Sequence, residues 1–180
     1  MALRGFEGKQ PWLAPGAWVD ELALAVGDVE LGEDASLWPF TVARGDIHHI
    51  RIGARSNIQD GSVLHVTHDS EYKPCGSPLV IGEEVTVGHK AVLHACAIGD
   101  RCLIGMGAIV LDGAVVESEV YIGAGALVPP GRRLAGGYLY LGSPVRQARP
   151  LTAAERAYLR YSAAHYVRLK NRHVSFSSSL

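Results

Sequence analysis

Cysteine is scarce in this chain, three in 180 residues, and Cys75, Cys96 and Cys102 form no CxxC pair. That excludes a disulfide framework and fits a reducing compartment. Excess charge is missing too. The 17 Lys and Arg against 18 Asp and Glu leave a net charge of -1 without a basic cluster, which argues against nucleic acid as a partner. No apolar run approaches the roughly twenty residues of a membrane span, so no membrane partner is expected. The opening residues carry Glu7, Pro11 and Pro15 and hold no apolar signal core. The expected location is therefore cytoplasmic. A chain of 180 residues reads as one domain with room for a substantial core.

What the chain has instead is a period. Val80-Ile81-Gly82, Val87-Gly88, Leu93, Ile98-Gly99, Ile104-Gly105, Val110, Val116, Ile122-Gly123 and Val128 bring back an aliphatic residue about every six positions, often followed by glycine. Six is wrong for an amphipathic helix and too long for strand alternation. It marks a hexapeptide parallel β-helix, in which three hexapeptides close one coil of about eighteen residues. The aliphatic anchor points inwards, and so does a small residue four positions on: Ala91, Cys102, Ala108, Ala114, Val120 and Ala126. Stacked coils then bury a continuous apolar column that no single coil can build.

Upstream, Leu64, Ile58 and Ile52 keep phase, and Ala43, Leu37 and Leu31 follow across an insertion near Asp46 to Ile50. Val26 reads as the start of an earlier, poorer turn. A stretch from about His68 to Leu79, with Pro74, Gly76 and Pro78, leaves the prism as a loop. The step from Leu93 to Ile98 is one residue short. The β-helix is expected over about residues 19–148. From Leu151 the spacing turns helical, with Thr152 and Glu155 as a capping box. Leu151, Ala154, Tyr158, Leu159, Tyr161, Ser162, Ala163, Tyr166, Val167 and Leu169 recur as one apolar face. One helix over about residues 151–172 is expected alongside the prism, with Ser175 onward as a frayed tail.

The same register predicts neighbours. Equivalent positions of successive coils stack about 4.8 Å apart. Ala43, Leu64 and Leu93 share a face, so Arg44, His65 and His94 form an outward column. Adjacent rungs let two imidazoles converge on one ion, about 2.0–2.1 Å from each nitrogen. His89 lies two residues after Val87, on the neighbouring face, in a column with Asp60. It cannot reach that ion within the same chain. In a closed ring of copies, the next chain's His89 can complete the set.

Arg44-Gly45-Asp46, the run Arg55-x-Asn57-x-Gln59-Asp60, His65, Gly88-His89 and His94 stand in an order and spacing that resembles the γ-class carbonic anhydrase-like family. The resemblance runs from about Val19 through the C-terminal helix. It implies a mainly β protein, a left-handed parallel β-helix of hexapeptide repeats despite the general preference for right-handed crossovers. It implies a homotrimer with a metal ion in each interface, Zn²⁺ first with Fe²⁺ or Co²⁺ possible, bound by His65, His89 and His94. It further implies CO2 and bicarbonate as substrates, with zinc lowering the pKa of a bound water to about 7.

Other positions carry over singly. Arg44 and Asp46, with Asp60, match charged residues that pair across subunits. Gln59 matches a residue that hydrogen-bonds the metal's solvent. Tyr166 matches a position where some members place a polar side chain beside the metal. His68 stands where the family's best-studied type has an acidic proton shuttle, and Ile47 replaces a second acidic residue. His68, as an imidazole, can carry protons itself.

Plainer readings stand beside these. His48, His49, His165 and His173 read as solvated or structural. Arg44 and Asp46 can be an interface ion pair only, Gln59 a polar corner and Tyr166 helix packing. Cys102 reads as a small core residue. Three function classes remain: a metal-dependent CO2 hydratase, a hexapeptide acyl-CoA transferase or thioesterase, and a metal-binding trimeric assembly protein with little turnover. The three-histidine set favours the first over the second. Fold alone does not separate them.

Overall fold

The structure, a computed structural model, describes residues 2–177. It is a mainly β, parallel solenoid of about eight turns of hexapeptide repeats with one C-terminal helix. Most strands are very short, such as Asn57–Ile58 and Thr86–Val87, because a corner follows every hexapeptide. The anchors Leu31, Leu37, Ile58, Leu64, Ile81, Val87, Leu93, Ile104, Val110, Ile122 and Val128 are at most 2% exposed. The small residues assigned to the second inward position, Ala91 and Cys102 through Ala126, are buried as well. Buried Ser56 and Ser62 take such inner positions in earlier coils, their hydroxyls donating to the carbonyls of Gly82 and Gly88. No polar group is wasted there.

Register follows the counted phase. Leu64 pairs with Leu93, and Leu93 with Val110, so the coil after the loop is one residue short. Ala95, at φ 45°, occupies the corner that absorbs the slip. The long strand Val42–Ile52 starts against Val63–His65 and ends against Leu79–Ile81, joining two faces. Its pairing with Leu24–Leu31 jumps from Gly27↔Gly45 to Val29↔Ile50, which is the expected insertion, seen as a bulge carrying Asp46 to His49.

Three expectations are corrected. Trp12–Leu13 and Trp18–Val19 already pair in parallel with later rungs, so regular turns begin before Val19. The anchor of the early turn is Ala25, which pairs with Ala43; the larger Val26 obscured it. The helix α1 is Ala153–Ser177, longer than the expected 151–172. Residues 175–177 are therefore helical, and residues 178–180 of the expected tail lie outside the described residues.

The capping box is present. The Glu155 amide donates to Thr152 Oγ1 at 3.2 Å and the Thr152 amide to Glu155 Oε2 at 2.9 Å. Leu159, Ser162 and Ala163 are buried, whereas Tyr158 and Tyr161 are exposed and Lys170 is 1% exposed. Lys170 Nζ donates to Asp34 Oδ1 and to the Gly16 carbonyl, each at 2.7 Å, while Arg156 and Arg160 reach Glu119. Polar pins hold α1 where the apolar spacing had assigned tyrosines. Among the described residues no helix is long and apolar enough to cross a membrane.

Candidate metal centre

His65 and His94 occupy paired positions on adjacent rungs. Their rings face each other with His65 Nδ1 3.1 Å from His94 Nε2. Each ring's other nitrogen meets a carboxylate. His65 Nε2 lies 3.2 Å from Asp46 Oδ1, and His94 Nδ1 lies 2.9 Å from Asp112 Oδ2. His89 follows the same pattern on the neighbouring corner, with Nδ1 2.9 Å from Asp60 Oδ2. A neutral imidazole beside a carboxylate keeps its proton on the nitrogen that faces it. The remaining nitrogen then carries a lone pair. In His65 and His94 those two lone pairs point at one another.

Two acceptors in that arrangement call for a cation between them. Two tetrahedral ligands at about 2.0–2.1 Å from zinc stand about 3.3–3.4 Å apart. The 3.1 Å separation is close to that bite. Carboxylates behind the imidazoles are the usual outer partners of a histidine metal site, fixing tautomer and raising basicity. The donor set therefore fits Zn²⁺. Among the described residues no group of three or more metal-ligating side chains converges within the chain. His89 stays on its own corner with Asp60, as its register predicted.

The electrostatics keep these groups in their working forms. Burial pushes Asp46 up, but the Arg44 guanidinium at 2.7 Å and the His65 hydrogen bond outweigh it, leaving the carboxyl below its ordinary value. Asp112 is likewise lowered, burial being outweighed by hydrogen bonds from Thr67 and His94. His65 is lowered by its burial and then by Arg44, which favours the neutral ring. Cys96, beside this column, is pushed up to about 12 by burial and then by the Asp112 charge, so it is no thiolate donor at neutral pH.

Arg44 and Asp46 pair with each other within the chain. His68 sits exposed at the neck of the loop that Thr67 and Ser77 close by pairing. His48 and His49 lie at the bulge, edge-on to each other with centroids 4.7 Å apart.

Gln59 and Tyr166 lie elsewhere, along a groove of about 250 Å³ between α1 and the prism. His89 also lines it. Gln59 is buried, and its Nε2 donates to Asn57 Oδ1 at 3.0 Å. Tyr166 stands edge-on to Trp38 with centroids 5.3 Å apart. Burial, then the Asp60 charge, raises the Tyr166 hydroxyl above the ordinary value.

Asp112 is the site residue that sequence reading missed. Strand pairing sets Leu93 against Val110, so Asp112 lies one place beyond the rung neighbour of His94. A carboxylate near each of the three histidines was the available signal.

The repeat is shared widely. The family described as Bacterial transferase hexapeptide (six repeats) matches residues 95–130. Protein YrdA of Escherichia coli K12 is 56% identical over 172 residues, spanning 96% of this chain and 94% of its own. The chain belongs to the hexapeptide-repeat family that includes γ carbonic anhydrases. Mitochondrial gamma carbonic anhydrase 2 of Arabidopsis thaliana is 38% identical over 94% of this hexapeptide-repeat chain, which spans 61% of that relative. The crystal structure of a hexapeptide transferase family protein from Anaplasma phagocytophilum superposes with a TM-score of 0.87 at 37% identity, covering 94% of this chain and 96% of the other.

Proposed function

We propose that this chain is a metal-dependent, γ-class carbonic anhydrase-like hydratase that interconverts CO2 and bicarbonate at the interfaces of a homotrimer. The observation that carries the reading is the approach of His65 Nδ1 to His94 Nε2 at 3.1 Å, with a carboxylate on the far side of each ring. Zn²⁺ is the first expectation, with Fe²⁺ or Co²⁺ as alternatives, and His89 of a neighbouring copy supplies the third imidazole. When bound, the ion supplies Lewis acidity that brings a water's pKa down to about 7.

The chain's own residues do the rest. Asp46, Asp112 and Asp60 hold the three ring protons away from the metal side. Gln59, fixed through Asn57, orients the attacking water from the groove. Tyr166 remains a protonated donor that positions substrate. His68, exposed on the loop, passes the released proton to solvent. Arg44 and Asp60 brace the interface.

The face that carries His65 and His94 also carries an outward aliphatic column, Val42, Val63, Val92, Ile109 and Leu127, in continuous strand register. Val63 is 41% and Ile109 37% exposed. Such a contiguous apolar stripe supports contact with another copy. A relative named as a carbonic anhydrase supports the activity. The second reading, acyl transfer, has the transferase-named relative in its favour.

The test is metal analysis and stopped-flow CO2 hydration on one anaerobically purified sample, with acetyl-CoA turnover in parallel. About one metal per chain, lost in His94→Ala together with hydration, is the expected result. Full metal retention in His94→Ala would refute the ligand assignment, and acetyl transfer without hydration would select the second reading.

A further inference from the structure

The Gln59 side chain is steered from the helix. Its backbone is clamped on both sides: the amide donates to the Val87 carbonyl at 2.9 Å, and the carbonyl accepts from the Ser62 amide and the Thr41 hydroxyl, each at 3.2 Å. Only the side-chain torsions remain open. The two ends of that side chain have the same shape and opposite chemistry, an oxygen that accepts and an NH2 that donates. Which end faces the groove decides what Gln59 can do to a water there.

A line of buried polar groups makes the choice. Gln59 Nε2 donates to Asn57 Oδ1 at 3.0 Å, Asn57 Nδ2 to Thr86 Oγ1 at 3.1 Å, and Thr86 Oγ1 to Ser162 Oγ at 3.1 Å. Gln59, Asn57, Thr86 and Ser162 are all buried. Two amides and two hydroxyls could in principle all reverse together. Asn57 Nδ2 also lies 3.5 Å from the Val85 carbonyl, so a reversed Asn57 would turn an oxygen toward an oxygen. At the far end Ser162 belongs to α1, which buried Leu159, Ala163 and Lys170 dock on the prism. Its oxygen takes the Thr86 proton and leaves the Thr86 lone pairs for Asn57. Among the described residues no donor meets Gln59 Oε1, and no buried side-chain oxygen lacks a partner. That oxygen therefore opens on the groove that Gln59 lines.

We propose that Thr86 and Ser162 are positioning residues: through Asn57 they hold the Gln59 side-chain oxygen, and not its NH2, toward the groove. Docking of α1 thereby sets the polarity of the site. The geometry stands on the hydrogen-bond line, while its consequence for rate rests on the hydratase reading. An oxygen holds a water by one of its hydrogens and leaves the water's lone pairs free to attack carbon. An NH2 would occupy one of those lone pairs. Breaking the helix end of the line should lower the rate and spare the metal ligands.

The test joins neutron diffraction of metal-free, deuterium-exchanged crystals to stopped-flow CO2 hydration by the zinc-loaded protein. In the parent, deuterons should sit on Gln59 Nε2 facing Asn57 and on Thr86 Oγ1 facing Ser162. Ser162→Ala removes the last acceptor, and Thr86→Val removes the hydroxyl while keeping the shape. Each should populate the reversed Gln59 amide and lower kcat, with KM and zinc content kept. One neutral hydrogen bond bounds that loss at about 12-fold. Thr86→Ser keeps the hydroxyl and should restore both readouts. A parent amide with its NH2 toward the groove would overturn the proposal, as would parent-like orientation in both Ser162→Ala and Thr86→Val. Equal loss of kcat in Thr86→Ser and Thr86→Val would assign the effect to packing and overturn it as well. Absence of hydration in the zinc-loaded parent defeats the hydratase reading alone, and the deuteron positions still decide the proposal.

Discussion

Removing the Asp112 carboxylate should weaken metal binding without unfolding the protein. Asp112 accepts the His94 Nδ1 proton at 2.9 Å and is itself held by the Thr67 hydroxyl. In Asp112→Ala the His94 proton loses its acceptor, and the tautomer with the proton on Nε2 becomes populated. That tautomer presents N–H instead of a lone pair toward His65. Loss of an outer partner of this kind typically costs 10–100-fold in metal affinity, about 1.4–2.7 kcal/mol. The loss should fall toward the upper end, because the missing acceptor is a charged carboxylate whose pKa is held below the ordinary range. Asp112→Asn keeps a neutral acceptor and should lose less. Thr67→Val leaves the carboxylate but frees it to turn, and should lose least. The assay is competitive Zn²⁺ titration against a chromophoric chelator, with thermal unfolding of the metal-free forms as the check on folding. Parent-like zinc affinity in a folded Asp112→Ala would refute the tautomer mechanism.

Other outcomes follow from the packing. A colorimetric thiol reagent should modify one cysteine per native chain, the exposed Cys75, because burial pushes Cys96 and Cys102 up to about 12; denaturant should release all three. Rapid native modification of two or more would contradict their burial. Leu93→Ala removes a fully buried anchor on the His94 rung and should lower stability by about 2–5 kcal/mol in urea unfolding of the metal-free protein. Glu155 is held at about 2 by Arg149 and then by the Thr152 amide, below its ordinary 4.5. A depressed carboxyl pKa stabilises above the unfolded value, so the advantage of the parent over Glu155→Ala should be full above about pH 5 and fade as pH falls from 4.5 toward 2. Thermal unfolding across that range checks it, and a difference that grew on acidification would have the wrong sign.

Much of the site was legible because parallel pairing locks register. His65 and His94 meet across 29 residues since the loop adds its length outside the coil and the ladder resumes in phase. His89 and Asp60, also 29 apart, meet for the same reason. The slip between Leu93 and Ile98 was visible as a short step, but its consequence was not. The shortened coil sets Leu93 against Val110 and so leaves Asp112 one place beyond the rung neighbour of His94, and that its carboxylate still leans across to the ring is a matter of local corner geometry.

The helix shows the opposite case. Its start was written in Thr152 and Glu155, whose reciprocal bonds are local. Its docking was not. Tyr158 and Tyr161 fit an apolar stripe by spacing yet stay exposed, while Lys170 is buried against Asp34 across 136 residues. A charge is an inward candidate only when its distant partner is known, and periodicity carries no record of partners.

By itself, then, the order of residues determined the prism, its rungs and the approach of two imidazoles, because backbone hydrogen bonds transmit a six-residue period faithfully over many coils. The tertiary structure alone decided the carboxylate behind His94 and the groove between α1 and the prism. Both depend on where side chains of separate segments come to rest, and that is set by packing and pairing in three dimensions.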